Sequence, residues 1–312
     1  MSEIKQISMR QSFGDKLLEL APSMPELVVL DADVSSSTQT IHFGKKYPER
    51  FFNVGVAEAN LVDIAGGMAA CGLRPVASAF AIFIALKATD QIRNNICYNN
   101  LPVVLVGGYA GLSDSFDGAS HQSITDLAIM QSMPNMRVVA PADALEFSRL
   151  LEESLKLDGP TYFRICRNET PVISDQFDPV PFGKIQVLKE GVDITLAACG
   201  ITVPIALEAA KQLEAKGIAA EVLNVSCLKP LDAETIIQSV GKTGRVITIE
   251  EHNVIGGLGS AVSECLMQNH PVKMDMIGIQ DTFTETGPYD KLLEKHGISV
   301  DNIIEKVNKS TI

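Results

Sequence analysis

Short apolar runs alternate with longer amphipathic stretches along most of the chain. Residues 8–20 place apolar side chains at helical spacing and end before Pro22, so they read as an amphipathic helix. ELVVLDAD (26–33) is a compact apolar run that passes into an acidic, Ser-rich loop, as a buried strand does. The rhythm continues with helices over 58–70, 83–98 and 143–156, and strands over 74–80, 101–108, 135–141 and near 161–166. Runs that are apolar throughout, separated by helices, predict a parallel sheet covered on both faces.

The rhythm breaks over 168–190, where NETPVISDQFDPVPFG carries three prolines among polar residues. It resumes with strands over 193–199, 219–225, 245–251 and 272–279, and helices over 203–215, 233–241 and 258–267. The expected fold class is therefore α/β in two domains, each a mostly parallel sheet flanked by helices. Residues 1–175 form the first, 176–190 a linker and 191–312 the second, and the length of 312 suits two domains.

Charge narrows the partners. The net charge of −12 excludes a nucleic-acid partner, which needs a basic footprint, and disfavours an anionic membrane surface. No apolar run reaches the length needed to cross a membrane, and the polar start MSEIKQISMRQ has no leader pattern. The six cysteines form no C-x-x-C pair, so free thiols in a reducing cytoplasm are expected. A few local arginines still allow an anionic small substrate.

Four stretches could carry chemistry. In NVGVAEAN (53–60) a strand end turns at Gly55, and Glu58 opens a helix. An acidic residue there complements the helix dipole; in a dry, tightly packed place it could also hand over a proton. SAFAIF (78–83) holds Phe80 and Phe83 at a strand-to-helix transition. They could be core, or a platform for a flat heterocycle, because the carboxyl ends of parallel strands are where ligands bind. YAGLSDSFDGASHQS (109–123) is a long turn-rich loop with Asp117 four residues before His121, where a carboxylate could fix the imidazole. FRICRNETP (163–171) carries Arg164 and Arg167, either surface ion-pair partners or an oxyanion clamp. GGLGSA (256–261) resembles an anion-binding glycine turn but reads as packing, and no Walker A, G-x-S-x-G or H-E-x-x-H is present.

Taken in order, LDADVSSST, NVGVAEAN, ASAFAIF, DQIRNNICYNNLPV, DGASHQ, MPNMRVVAPAD and GPTYFRICR resemble the transketolase family, and TIEEHNVIGGLGSAV resembles its C-terminal domain. The resemblance covers essentially the whole chain and is closest to the C-terminal section found as a separate subunit. It implies thiamine diphosphate bound at a subunit interface. It also implies Mg²⁺ held by a separate diphosphate-binding domain with a G-D-G motif. No G-D-G occurs here, so an N-terminal transketolase subunit must supply that domain, in an expected α2β2 assembly acting on ketose and aldose phosphates.

Carried over by motif, Glu58 matches the glutamate that protonates N1′ of the aminopyrimidine. Phe80 matches the aromatic residue stacked on that ring, with Phe83 beside it. His121 and Asp117 match residues of D-G-x-x-H that contact substrate hydroxyls, with His121 moving protons. Asp33 matches an aspartate near the substrate, and Ser37 and Arg167 match residues that bind a sugar phosphate. Tyr109 departs from the usual histidine, and LSDSFDG departs from the usual glycine–glutamate before the aspartate. Both departures lie in the substrate half and point away from the standard pentose phosphates. The alternatives are the beta subunit of a 2-oxoacid dehydrogenase, a 1-deoxyxylulose-5-phosphate synthase-like enzyme, or a non-catalytic scaffold subunit.

Overall fold

The computed structural model of the chain describes residues 5–309. Among them, seven strands form a first sheet in the spatial order Cys227–Lys229, Arg137–Val139, Thr161–Arg164, Val104–Gly108, Arg74–Phe80, Leu27–Asp31 and Phe51–Asn53. All its pairings are parallel except that of Cys227–Lys229, which runs antiparallel to Arg137–Val139. The interior strands Leu27–Asp31, Val104–Gly108 and Thr161–Arg164 are buried along their whole length, because helices cover both faces. A second sheet has the order Lys273–Ile279, Arg245–Asn253, Ile194–Ala198, Ala220–Asn224 and Gln186–Lys189, with only the last strand antiparallel. The structure is thus two α/β units with mostly parallel sheets.

Several elements differ from the sequence expectations. Residues 83–98 are not one helix but Ala81–Lys87, a short turn at Thr89–Gln91 and a π-helical turn at Ile92–Cys97. The Thr89 hydroxyl donates to the Ala85 carbonyl at the break, a bond that competes with the regular ladder. The stretch expected as linker contains the strand Gln186–Lys189, whose side chains alternate between buried and more exposed as on a sheet edge. The segment just before that stretch is tied down as well: Ile173 N, Ser174 N and Ser174 Oγ all donate to the buried Asp143 carboxylate. The prolines at 171, 179 and 181 hide this order from a reading of local composition.

One buried apolar cluster spans the two units. Met130, Met133 and Val138 of the first belong to the same buried cluster as Leu223, Leu228 and Leu258 of the second. No helix of the described residues is long and apolar enough to cross a membrane, and the six cysteines are free thiols.

Candidate active site

The loops at the carboxyl ends of the parallel strands converge on one region, as this sheet architecture dictates. Asp31 ends its strand with no solvent exposure. Its carboxylate accepts from Val34 N at 2.7 Å, Thr38 Oγ1 at 2.7 Å and Thr40 Oγ1 at 2.9 Å, while burial pushes its pKa up. These bonds fix residues 32–40. Asp33 then takes a left-handed φ of 65° and accepts from Asn53 Nδ2 at 2.9 Å. Ser37 turns its carbonyl toward Arg10, whose Nη1 lies 2.7 Å away.

Glu58 follows the turn at Gly55, which has φ 73°, and is the first residue of the helix Glu58–Ala70. It is buried, and its carboxylate pairs with Lys87 Nζ at 3.2 and 3.4 Å. Lys87 and Phe83 are four apart on the helix Ala81–Lys87 and share a face, so the ammonium also lies 4.2 Å from the Phe83 ring centre. The aromatic rings continue inward. Phe83 stacks toward Phe80 at 6.0 Å, and Phe80 stacks on Tyr109 at 4.2 Å. His121 meets Phe83 edge-on at 5.2 Å, with its Nδ1 3.0 Å from Ser120 Oγ. The ring surface next to Glu58 is therefore that of Phe83, whereas Phe80 is covered by Tyr109.

Beyond Tyr109 the site becomes cationic. Tyr109 holds a left-handed φ of 59°, an uncommon conformation for a bulky residue. Arg10 and Arg167 both lie against its ring, at 5.1 and 5.0 Å from the centre. Arg10 Nη1 donates to the Tyr109 hydroxyl at 3.0 Å, and Arg10 Nε donates to the Arg167 carbonyl at 3.1 Å. Arg167 Nη1 binds Asp114 Oδ1 at 2.9 Å. Asp114 has no solvent exposure, and its Oδ2 is buried without a hydrogen-bond partner. Burial and then the neighbouring Asp117 raise its carboxyl to about 6, against the pull of Arg167 and His121.

Arg164 is not part of a clamp. It is buried and forks onto Asp126 at 3.0 and 3.2 Å, with further bonds to the carbonyls of Ser123 and Glu251. Despite the cost of burial, this pairing holds Asp126 below the usual carboxylate range. Arg164 ends its strand inside the molecule, while Arg167, three residues on, lies in the loop that faces the site.

The second unit holds the loop 109–123 in place. Leu112 N donates to Glu251 Oε1 at 2.8 Å, Gly287 N to the Ser115 carbonyl at 3.1 Å, and Gln122 Nε2 to the Glu285 carbonyl at 3.0 Å. Glu251 is fully enclosed, and burial raises it to about 7. At GGLGSA the turn holds an internal carboxyl group: Leu258 N and Gly259 N donate to Glu250 at 2.7 and 2.8 Å, while burial raises its pKa to about 7. Among the described residues, no three His, Cys, Asp or Glu side chains converge as a metal site.

Comparison with known proteins identifies the family. Residues 5–172 match the pyrimidine binding domain of transketolase, and residues 183–303 match the transketolase C-terminal domain. The chain belongs to the transketolase family. It corresponds to the C-terminal section of that family's proteins and is one subunit of a transferase. A 6-deoxy-6-sulfo-D-fructose transketolase subunit of Clostridium sp. (strain MSTE9) is 39% identical over 97% of this chain and 94% of that protein. A putative transketolase C-terminal section of Methanocaldococcus jannaschii is 41% identical over 96% of this chain and 95% of the relative. A 1-deoxy-D-xylulose-5-phosphate synthase of Desulforudis audaxviator is 37% identical, but this chain covers 47% of its length. Among solved structures, a split gene transketolase in an inactive beta4 tetramer superposes with a TM-score of 0.89 at 43% identity, covering 98% of both chains.

Motif matching to the transketolase family missed Arg10, Lys87 and Asp114. Arg10 sits on a helix whose pattern speaks only of amphipathicity, and its partners Tyr109 and Arg167 are distant in sequence. For Lys87, the spacing of four from Phe83 was the available signal.

Proposed function

We propose that the chain is the pyrimidine-binding subunit of a thiamine diphosphate-dependent transketolase. It works in the cytoplasm as an α2β2 assembly with an N-terminal subunit that carries the diphosphate-binding domain and Mg²⁺. The reaction moves a two-carbon ketol unit from a ketose with an anionic far end to an aldose. We keep residues 1–175 as the first domain, 176–190 as linker and 191–312 as the second, and the gap between the matched stretches, 172 to 183, supports a boundary in that region.

The observation that carries the reading is the buried Glu58 carboxyl beside the ring face of Phe83. This donor set fits an aminopyrimidine: the flat ring stacks on Phe83, and Glu58 bonds its N1′. Phe83 takes the stacking role here, with Phe80 supporting it from behind. Bound thiamine diphosphate supplies the nucleophilic carbon and the electron sink for the carbon–carbon bond. Glu58 would hold a proton at N1′, and Lys87, half exposed, would have to give way to the ring. His121 and Asp117 bind the sugar hydroxyls and move protons there, with Asp33 and Tyr109 along the same wall. Arg10 and Arg167, with Ser37, take the terminal oxyanion of the sugar.

The relative named as a sulfofructose transketolase subunit supports ketol transfer and widens the terminal group from phosphate to other oxyanions. The inactive beta4 tetramer of a related split transketolase supports the need for a second kind of subunit. Titration calorimetry of the isolated chain tests the assembly. We expect no binding of thiamine diphosphate with Mg²⁺ until the diphosphate-binding subunit is added; micromolar binding by the chain alone rejects it.

A further inference from the structure

We propose that Asp114 matches the anion site to a sugar ending in a single negative charge, a sulfonate, in preference to a phosphate. This rests on the ketol-transfer reading and on the assignment of Arg10 and Arg167 to the sugar's far end. The two guanidiniums flank Tyr109 and bring two positive charges. Asp114, with no solvent exposure, spends one of them through its 2.9 Å bond to Arg167 Nη1. The phenol of Tyr109 adds a hydrogen-bonding group but no charge. One net positive charge is left for the ligand.

A sulfonate is a monoanion throughout the working range. A phosphate monoester carries roughly −1.5 to −2 at pH 7, so part of its charge would face Asp114 without a counter-charge. The buried Oδ2 of Asp114, which has no partner, worsens that approach, since a carboxylate can only accept hydrogen bonds. The charged and titratable groups facing Asp114 are Asp117, Arg167 and His121. Asp117 is exposed, so water and salt screen its charge and leave the count of one, and Arg167 already forms the pair. With its carboxyl at about 6, Asp114 is ionised above neutrality, where the discrimination is strongest.

The test uses the complex with its diphosphate-binding subunit and two donors of one carbon skeleton, 6-deoxy-6-sulfofructose and fructose 6-phosphate, at pH 8. Wild type should favour the sulfonate in kcat/KM. Asp114→Asn should shrink that preference by about tenfold or more, chiefly by lowering KM for the phosphate. Asp114→Ser is a second neutral variant in case the first does not fold. Thermal shift of the isolated chain by the same two sugars reads binding without the partner and should follow the same order. Preference of the wild type for the phosphate, or a ratio that neither variant moves, overturns the charge assignment alone. Turnover of neither sugar overturns the ketol-transfer reading as well.

Discussion

The Lys87 ammonium lies 3.2 Å from the Glu58 carboxylate and 4.2 Å from the centre of the Phe83 ring. It thus fills the space between the acid and the aromatic face proposed to hold the cofactor's flat ring. Its side chain is 49% exposed, against 6% for that of Glu58, so the lysine can leave for water while the acid stays. The lysine end of the pair can therefore move into water with the carboxyl already in position.

Replacing Glu58 by Gln keeps the shape and removes the ionisable proton. Hydrogen–deuterium exchange at C2 of the cofactor in the assembled enzyme should slow by about 10²-fold or more, the scale of acid–base contributions. The melting temperature should change little, because the half-exposed Lys87 can be hydrated and the glutamine keeps the shape of the site. An unchanged exchange rate removes Glu58 from the reaction.

Arg167→Ala should raise KM for anion-ended ketoses by about ten- to a hundredfold, the value of a charge-assisted contact. A short ketose without a terminal anion should be almost unaffected. If both donors weaken equally, the arginine supports the loop and not the ligand.

Tyr109 offers a separable pair of changes. Tyr109→Phe keeps the stacking on Phe80 but deletes the acceptor for Arg10, so KM for an anionic sugar should rise several-fold with kcat nearly unchanged. Tyr109→His keeps a residue type that tolerates the left-handed backbone and should move preference toward xylulose 5-phosphate. Steady-state kinetics with a panel of ketoses reads both. A wild type that already prefers xylulose 5-phosphate shows that the phenol does not set the choice.

Glu251 supplies a pH test of stability. Its pKa is about 7 when folded, against the usual 4.5, because burial disfavours the charge. Between those values the folded chain binds more protons than the unfolded one, so this group's contribution falls as pH rises to 7 and then levels. Glu251→Gln still accepts from Leu112 N but cannot ionise. Its stability relative to wild type should grow by up to about 3 kcal/mol between pH 5 and 8. Denaturant melts at the two pH values measure the difference; a pH-independent gap shows that Glu251 carries the same charge in the folded and the unfolded chain over this range.

The paired α/β architecture was legible because its interior strands, such as Leu27–Asp31 and Val104–Gly108, are buried at every position and almost wholly apolar. The edge strands were not: Phe51–Asn53 and Cys227–Lys229 have three residues each and carry no period to read. The same divide runs through the site. Glu58 stood out because a glycine turn and a helix start bracket it. Asp114 did not, since its meaning comes from an arginine 53 positions later. Arg164 and Arg167 look alike in sequence, and only packing sends the first to Asp126 inside the molecule.

The strand Cys227–Lys229 comes from the C-terminal half yet closes the edge of the N-terminal sheet beside Arg137–Val139. Cutting the chain in the Pro-rich stretch before residue 183 would therefore not release two clean modules. A fragment ending there would expose unpaired backbone and the apolar residues Val138 and Val139, a template for self-association. A nick at the same place should leave both pieces clamped together through that borrowed strand, so truncation and proteolysis at one peptide bond would give opposite outcomes.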